Sequence, residues 1–267
     1  MLVQKCRKSK RVSIAVAGRS ETKLRTVANQ MGCASIDVLI ADARDEESLR
    51  AMAKTTKIVI NTVGPFRLYG RPVVQACIRE KTWYLDVCGE PEFMERIEYE
   101  MDVEARKQGC YVVSAVGFDS VPTDLGNLCV SSAFEAPAVC TSVETFIELQ
   151  SGPKGIAGHF PTYESAVYGL GSSKMLSDLR RKASRRRKDV GKMTLGTPSW
   201  IPMKKAGTFD DRIGSYLIPF MGSCPSVIRR SLISLAEAGK PVFQSRVYMG
   251  VPSFWIFLQY VSLFNII

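Results

Sequence analysis

Histidine occurs once in these 267 residues, at His159, and that scarcity removes whole reaction classes. No metal site with two histidines can be assembled within the chain, and a Ser-His-Asp triad would depend on that one side chain. The eight cysteines contain no CxxC pair, and most sit in apolar segments, as reduced thiols do in a reducing compartment. Neither a disulfide framework nor a zinc site is expected. No tyrosine is followed four residues on by lysine, so the short-chain dehydrogenase pair is missing, as are a P-loop and HExxH. No G-x-G-x-x-G or G-x-x-G-x-x-G precedes Val12, so the loop that would hold a pyrophosphate at a helix N-terminus is expected to be lacking.

Acidic residues are absent before Glu21, which is faintly like a transit peptide and leaves a mitochondrial location as an alternative. A strand at Val12–Ala17 leaves few residues for a presequence, and no apolar run follows MLVQKCRKSKR to make a signal peptide. Charge is also absent from Val251 to Ile267. That run is at the short limit for a membrane span and reads as a buried or interfacial segment.

The formal net charge of +10 is local. Lys174 to Lys192 holds nine basic and two acidic residues, a net of +7. A solvated basic loop is the plain reading and an anionic membrane surface the alternative. No zinc-finger, RRM-like or helix-turn-helix pattern supports nucleic acid as a partner.

Strands alternate with helices over the first half. Val12–Ala17 leads through Gly18-Arg19-Ser20 into a helical pattern carrying Leu24, Val27 and Met31, with Ser20 as N-cap. Ile36–Ile40 closes on Ala41-Asp42, before a helix from about Asp45 with Leu49 and Met52. Ile58–Ile60 reads as a buried strand stopped by Asn61-Thr62-Val63-Gly64-Pro65; a helix with Pro72 in its first turn and a strand at Trp83–Val87 complete a β-α-β unit. Pro91 opens a longer helix with Phe93, Met94, Ile97 and Met101, and Tyr111–Ala115 is the next strand. This order predicts a mostly parallel, doubly wound Rossmann-like sheet over residues 1–135.

From Ala136-Pro137 the pattern changes. Val139–Leu149 alternates apolar and polar residues as in an antiparallel sheet with one exposed face, so 136–267 is a second α/β domain containing antiparallel strands. A helix over Thr162–Leu170, strands at Tyr216–Ile218 and Val242–Met249, and a helix over Ser226–Ala238 fill it. Residues 174–205, basic and carrying Gly and Pro, read as a mobile insertion.

Ligands of an open parallel sheet bind beyond the carboxyl ends of its strands. There Arg19, with Gly18, Ser20 and Lys23, suits the 2′-phosphate of NADP rather than the 2′-hydroxyl of NAD; a plain surface arginine is the alternative. Asp42 is placed to reach an adenine amino group, though aspartate is also a common turn residue. Asn61, Thr62, Val63 and Gly64 would pass beside the nicotinamide ribose, Gly64 allowing close approach. Asp86, Glu90 and Asp119 are carboxylates at strand ends able to orient substrate or move a proton, or simply to cap and turn the chain. Tyr69 is a further candidate proton donor.

Read in order, AGRS (17–20), NTVGPFRLYG (61–70), YLDVCGEPEF (84–93), GFDSVPTDLG (117–126) and SGPKGIAGHFPTYESAVYG (151–169), with Arg229-Arg230, the sequence resembles the saccharopine dehydrogenase-like oxidoreductases. The resemblance implies a Rossmann domain, a second α/β domain, NADP or alternatively NAD as cofactor, and redox chemistry on an apolar or lipid-like substrate, with a link to glycolipid synthesis. It also implies association with the cytoplasmic face of lipid droplets or membranes, and a homodimer is a further expected partner arrangement. Complete members of that family begin with a strand and a glycine-rich loop, so a shortened chain with the central first strand of its sheet missing, and weak dinucleotide binding, is expected. A catalytically inactive membrane or droplet binding protein on the same fold is the second reading.

Overall fold

The computed structural model describes residues 12–153, 155, 160–186 and 202–265. The chain divides into two compact units that do not follow its order: Met1–Leu85 with Glu100–Val113, and Asp86–Tyr99 with Ser114–Ile267. The division does not fall near residue 135, and the reason is local. Side chains of Asp86–Tyr99 bond to Ser114, Ser165, Arg180 and Ser226, all of the second unit.

Through residue 113 the chain alternates as the sequence predicts: β1 (Ala15–Gly18), α1 (Glu21–Gln30), β2 (Asp37–Ile40), α2 (Glu46–Lys54), β3 (Ile58–Asn61), α3 (Phe66–Arg79), β4 (Trp83–Asp86), α4 (Pro91–Gln108), which runs from the second unit into the first, and β5 (Val112–Val113). The caps explain several starts. Ser20 accepts the Lys23 amide, and Asp45 accepts those of Glu47 and Ser48, satisfying donors that the first helical turn leaves without partners. On α4 the buried residues Phe93, Ile97, Met101 and Ala105 recur every four positions, one helical face; Gly109, at φ +69°, takes the left-handed conformation that ends the helix.

β1 pairs with β2 in parallel, and β4 with β5, but the strands form two sheets, β1-β2 and β3-β4-β5. Among the described residues no ladder joins β1 to β3. That is the position between Val12–Ala17 and Lys57–Asn61 where the sequence reading sets the missing strand, and the two edges stay apart instead of closing on each other.

β3 is not buried as expected. Asn61 and Tyr84 are hydrogen-bonded on one covered face, while Ile58 and Ile60 of the other face are 43% and 55% exposed, beside exposed Trp83 and Val113. Parallel sheets ordinarily have both faces covered. Two helix readings also shift. Ala28 is the buried residue of α1 while Val27 and Met31 are exposed, and α3 starts at Phe66, which leaves Pro72 in its interior.

The second unit contains α5 (Val121–Ser132), β6 (Ser142–Glu148), α6 (Phe160–Gly171), α7 (Ser173–Arg186), β7 (Thr208–Asp210), β8 (Ser215–Pro219), α8 (Cys224–Glu237), β9 (Gln244–Val251) and α9 (Phe254–Asn265). Its sheet runs β6-β9-β8-β7. β8 is antiparallel to both neighbours, but β6 pairs with β9 in parallel, which corrects the antiparallel reading of that strand. One-sided burial is what alternation records; it does not fix strand direction. One sheet face packs Val143 and Val247 against Cys224, Ile228 and Leu232 of α8, and Ile218 and Val251 against Phe257 of α9. Each such aliphatic side chain contributes about 1.5–3 kcal/mol by leaving water.

Part of the basic stretch is helical. Residues 174–186 lie in α7, where Arg180 forms a two-pronged ion pair with Glu95; 187–201, including Arg187 and Lys188, lie outside the described residues, as does His159. Within the charge-free C-terminal run Phe254–Asn265 forms α9, and no helix among the described residues is long and apolar enough to cross a membrane.

Candidate functional site

In the first unit the candidate residues gather at the carboxyl ends of β1 and β2. Gly18 pairs with Ile40, and the Ala41 amide donates to Gly18 O at 3.1 Å. The two strands are therefore still neighbours as they end, with Arg19 and Ser20 following β1 and Ala41 and Asp42 following β2. Arg19 is exposed, and no described residue pairs with its side chain. Ser20 is taken by its cap on Lys23. Asp42 closes a turn, its Oδ1 accepting the Arg44 amide at 2.9 Å.

Asn61 differs from its expected part. Its Nδ2 donates to the Tyr84 hydroxyl at 3.1 Å and its Oδ1 accepts the Val63 amide at 3.0 Å, so the buried side chain shapes the turn rather than facing a ligand. Thr62 and Val63 remain exposed beyond it, and Gly64 lies against the Phe66 ring. Tyr69 is engaged by Arg44, whose Nη2 reaches the phenol oxygen at 3.5 Å and whose Cζ lies 5.8 Å from the ring centre.

The second unit holds the three carboxylates. Asp86 is fully buried. Its Oδ1 accepts the amides of Cys88 and Ala115 at 2.9 and 2.8 Å, and its Oδ2 the Ser114 hydroxyl at 3.0 Å. It ties the turn after β4 to the turn after β5 and offers nothing to solvent. Glu90 is buried too, accepting from Ser165 of α6 at 3.0 Å. Asp119 is the exposed one. Its Oδ2 accepts from Ser223 at 2.5 Å, and Ser223 lies 2.7 Å from Ser120, both serines being fully buried. A side-chain carbon at Gly89 would sit 3.6 Å from Asp119 Oδ2, so the Cys88–Glu90 turn passes close to that carboxylate. Exposed Val116 and Phe118 precede it in the chain, and exposed Val87 lies against Gly117.

The thiols beside these groups are poor nucleophiles. Burial pushes Cys224 up to about 11, and burial and then Asp86 push Cys88 well above its ordinary value. Asp119 is therefore the exposed titratable group of this rim, and Asp86 and Glu90 position the turns around it. Sequence reasoning missed Ser165 and Ser223, which come from distant helices and carry no local signal, and Arg44, a basic residue two positions after the β2 carboxylate.

For NADP, the β1–β2 rim offers cations and a carboxylate suited to the phosphorylated adenosine end. Bound there, its nicotinamide would supply hydride transfer, and the residues of the rim would bind and orient the adenosine end.

Residues 1–113 match the family described as saccharopine dehydrogenase NADP binding domain. A saccharopine dehydrogenase-like oxidoreductase of Rattus norvegicus is 37% identical over 237 residues, 86% of this chain and 53% of that protein. One of Arabidopsis thaliana, named as a probable mitochondrial saccharopine dehydrogenase-like oxidoreductase, is 38% identical over 232 residues, 84% of this chain and 49% of that protein. A Caenorhabditis elegans relative, named lipid droplet localized protein, is 34% identical over 229 residues, 82% of this chain and 52% of its own length. The chain spans about half the length of these curated relatives. With an NADP-binding domain in its first 113 residues and that similarity across both units, the chain belongs to the saccharopine dehydrogenase-like oxidoreductase family.

Proposed function

We propose that this chain serves an NADP-linked oxidoreduction on an apolar substrate, with Arg19 reading the ribose 2′-phosphate. The observation that carries the reading is the β1–β2 rim, where Arg19, unpaired among the described residues, follows the end of β1 beside the strand that leads to Asp42. A dianionic phosphate gains charge-assisted hydrogen bonds there that a ribose hydroxyl does not. Exposed Val87, Val116 and Phe118 near Asp119 suit an apolar substrate better than a charged one. Titration of NADPH and NADH tests the cofactor half, with the ratio of affinities as readout. NADPH should bind about tenfold more tightly, and Arg19→Ala should erase the difference; equal affinities in the parent chain would overturn it.

A second reading, attachment to a lipid surface with or without catalysis, is favoured by α9. That helix has no charged residue, and Trp255 is 75% exposed beside exposed Phe254, Ile256 and Leu258. The name of the nematode relative, lipid droplet localized protein, supports this reading, under which α9 would rest on a droplet or membrane face. Flotation with phospholipid vesicles should carry the protein, and Trp255→Ser should release most of it; equal flotation of both would reject α9 as the anchor.

A further inference from the structure

Arg44, two residues beyond Asp42, carries a second guanidinium close to the end of β2. β1 and β2 stay paired to their last residues. The chain then turns tightly: Asp42 Oδ1 accepts the Arg44 amide at 2.9 Å, and the Asp42 amide donates to Ser48 Oγ at 3.0 Å. The turn keeps Arg44 at the end of β2 instead of letting it run off along α2. Its side chain is exposed, and among the described residues no carboxylate forms an ion pair with it. What steadies it is Tyr69 of α3, by the ring 5.8 Å from Cζ and the hydroxyl 3.5 Å from Nη2.

We infer that Arg44, held by Tyr69, is a specificity residue for a 2′-phosphorylated adenosine, sharing the phosphate with Arg19 and laying its guanidinium plane against the adenine. This rests on the NADP reading and adds to it a residue and a part for Tyr69 other than proton donor. A guanidinium is planar and stacks on aromatic faces while its edge donates hydrogen bonds to phosphate. One plane can serve the base and the phosphate together. An arginine held in advance by Tyr69 loses less freedom on binding than a loose one. Two cations also match the phosphate's charge, which is between one and two negative charges near neutral pH.

The test is equilibrium binding of 2′-AMP, 5′-AMP and inorganic phosphate to the full chain, followed by NMR titration. The parent chain should prefer 2′-AMP. Arg44→Ala should weaken 2′-AMP about tenfold and 5′-AMP less; Tyr69→Phe, which keeps the ring, should cost about twofold, and Tyr69→Leu most of the Arg44→Ala effect. Circular dichroism on each variant confirms that it is folded. If Arg44→Ala leaves 2′-AMP unchanged while Arg19→Ala weakens it, the inference is overturned and the NADP reading stands. If the parent chain binds 2′-AMP and 5′-AMP alike, both fall. Inorganic phosphate binding as tightly as 2′-AMP would overturn the adenine contact.

Discussion

Asp86 Oδ1 accepts a 2.8 Å hydrogen bond from the amide of Ala115, a residue held at φ +60° just past β5. Left-handed backbone costs a non-glycine residue about 1–2 kcal/mol, and here a fully buried carboxylate keeps it in place while also accepting from Cys88 and Ser114. Asp86→Ala strips two buried amides and a hydroxyl of their acceptor and should destabilise the protein by about 3 kcal/mol. Asp86→Asn keeps an oxygen for both amides and should cost about 1 kcal/mol. Urea denaturation measures both. Equal losses in the two variants would show that the oxygen toward the amides is not what matters.

Stability in acid should depend on Asp210. Arg212 donates to it at 2.9 and 2.7 Å, and Lys204 is paired with it as well; Arg212 first and Lys204 second hold its carboxyl far below the usual carboxylate range. A depressed folded value contributes stability that is complete above the unfolded value, about 3.9, and is lost as pH falls further toward the folded one. The urea midpoint of the parent chain should therefore fall more steeply below about pH 4 than that of Asp210→Asn, while at neutral pH the variant is the less stable. Parallel profiles through the acid range would remove Asp210 from the account.

The uncovered face of the β3-β4-β5 sheet should make this chain self-associate. Ile58, Ile60, Trp83 and Val113 present a continuous apolar surface next to the open edge of β3, the combination that pairs with other chains when nothing blunts it. Ile60→Lys puts a charge on that face without touching the Asn61–Tyr84 side. Sedimentation across a concentration series should show the parent chain associating and the variant remaining smaller. A parent chain that stays monomeric at every concentration would mean the face is covered in solution.

The strand–helix alternation of the first unit was legible because its signals are local: Ser20 and Asp45 cap helices, Gly109 ends one, and β-branched runs mark the strands. That no ladder joins β1 to β3 among the described residues was legible for a different reason, since sheet order follows from strand order in this fold class. Burial was not. Ile58 and Ile60 read as core because parallel strands usually are, and a sequence does not say whether a covering layer is present. At the candidate site, Asp86, Glu90 and Asp119 were found as strand-end carboxylates but not told apart. Their different roles come from Ser114, Ser165 and Ser223, partners 28, 75 and 104 residues away, and no pattern in the chain announces such pairings. Arg180 likewise read as part of a free basic stretch because Glu95, 85 residues earlier, gives no hint that it will meet it.

The three oxygens of Asp119, Ser223 and Ser120 have a direction. An ionised carboxylate only accepts, so the Ser223 proton must point to Asp119, and the 2.7 Å contact with Ser120 is then satisfied only if Ser120 donates to Ser223. The charge at the surface thus sets the orientation of a hydroxyl that is itself fully buried. In Asp119→Asn, an amide nitrogen turned toward Ser223 would reverse both hydroxyls together, sending the dipole of the chain inward instead of outward. A change of charge at the rim would in this way be felt at Ser120, at the start of α5, without any atom heavier than hydrogen having to move.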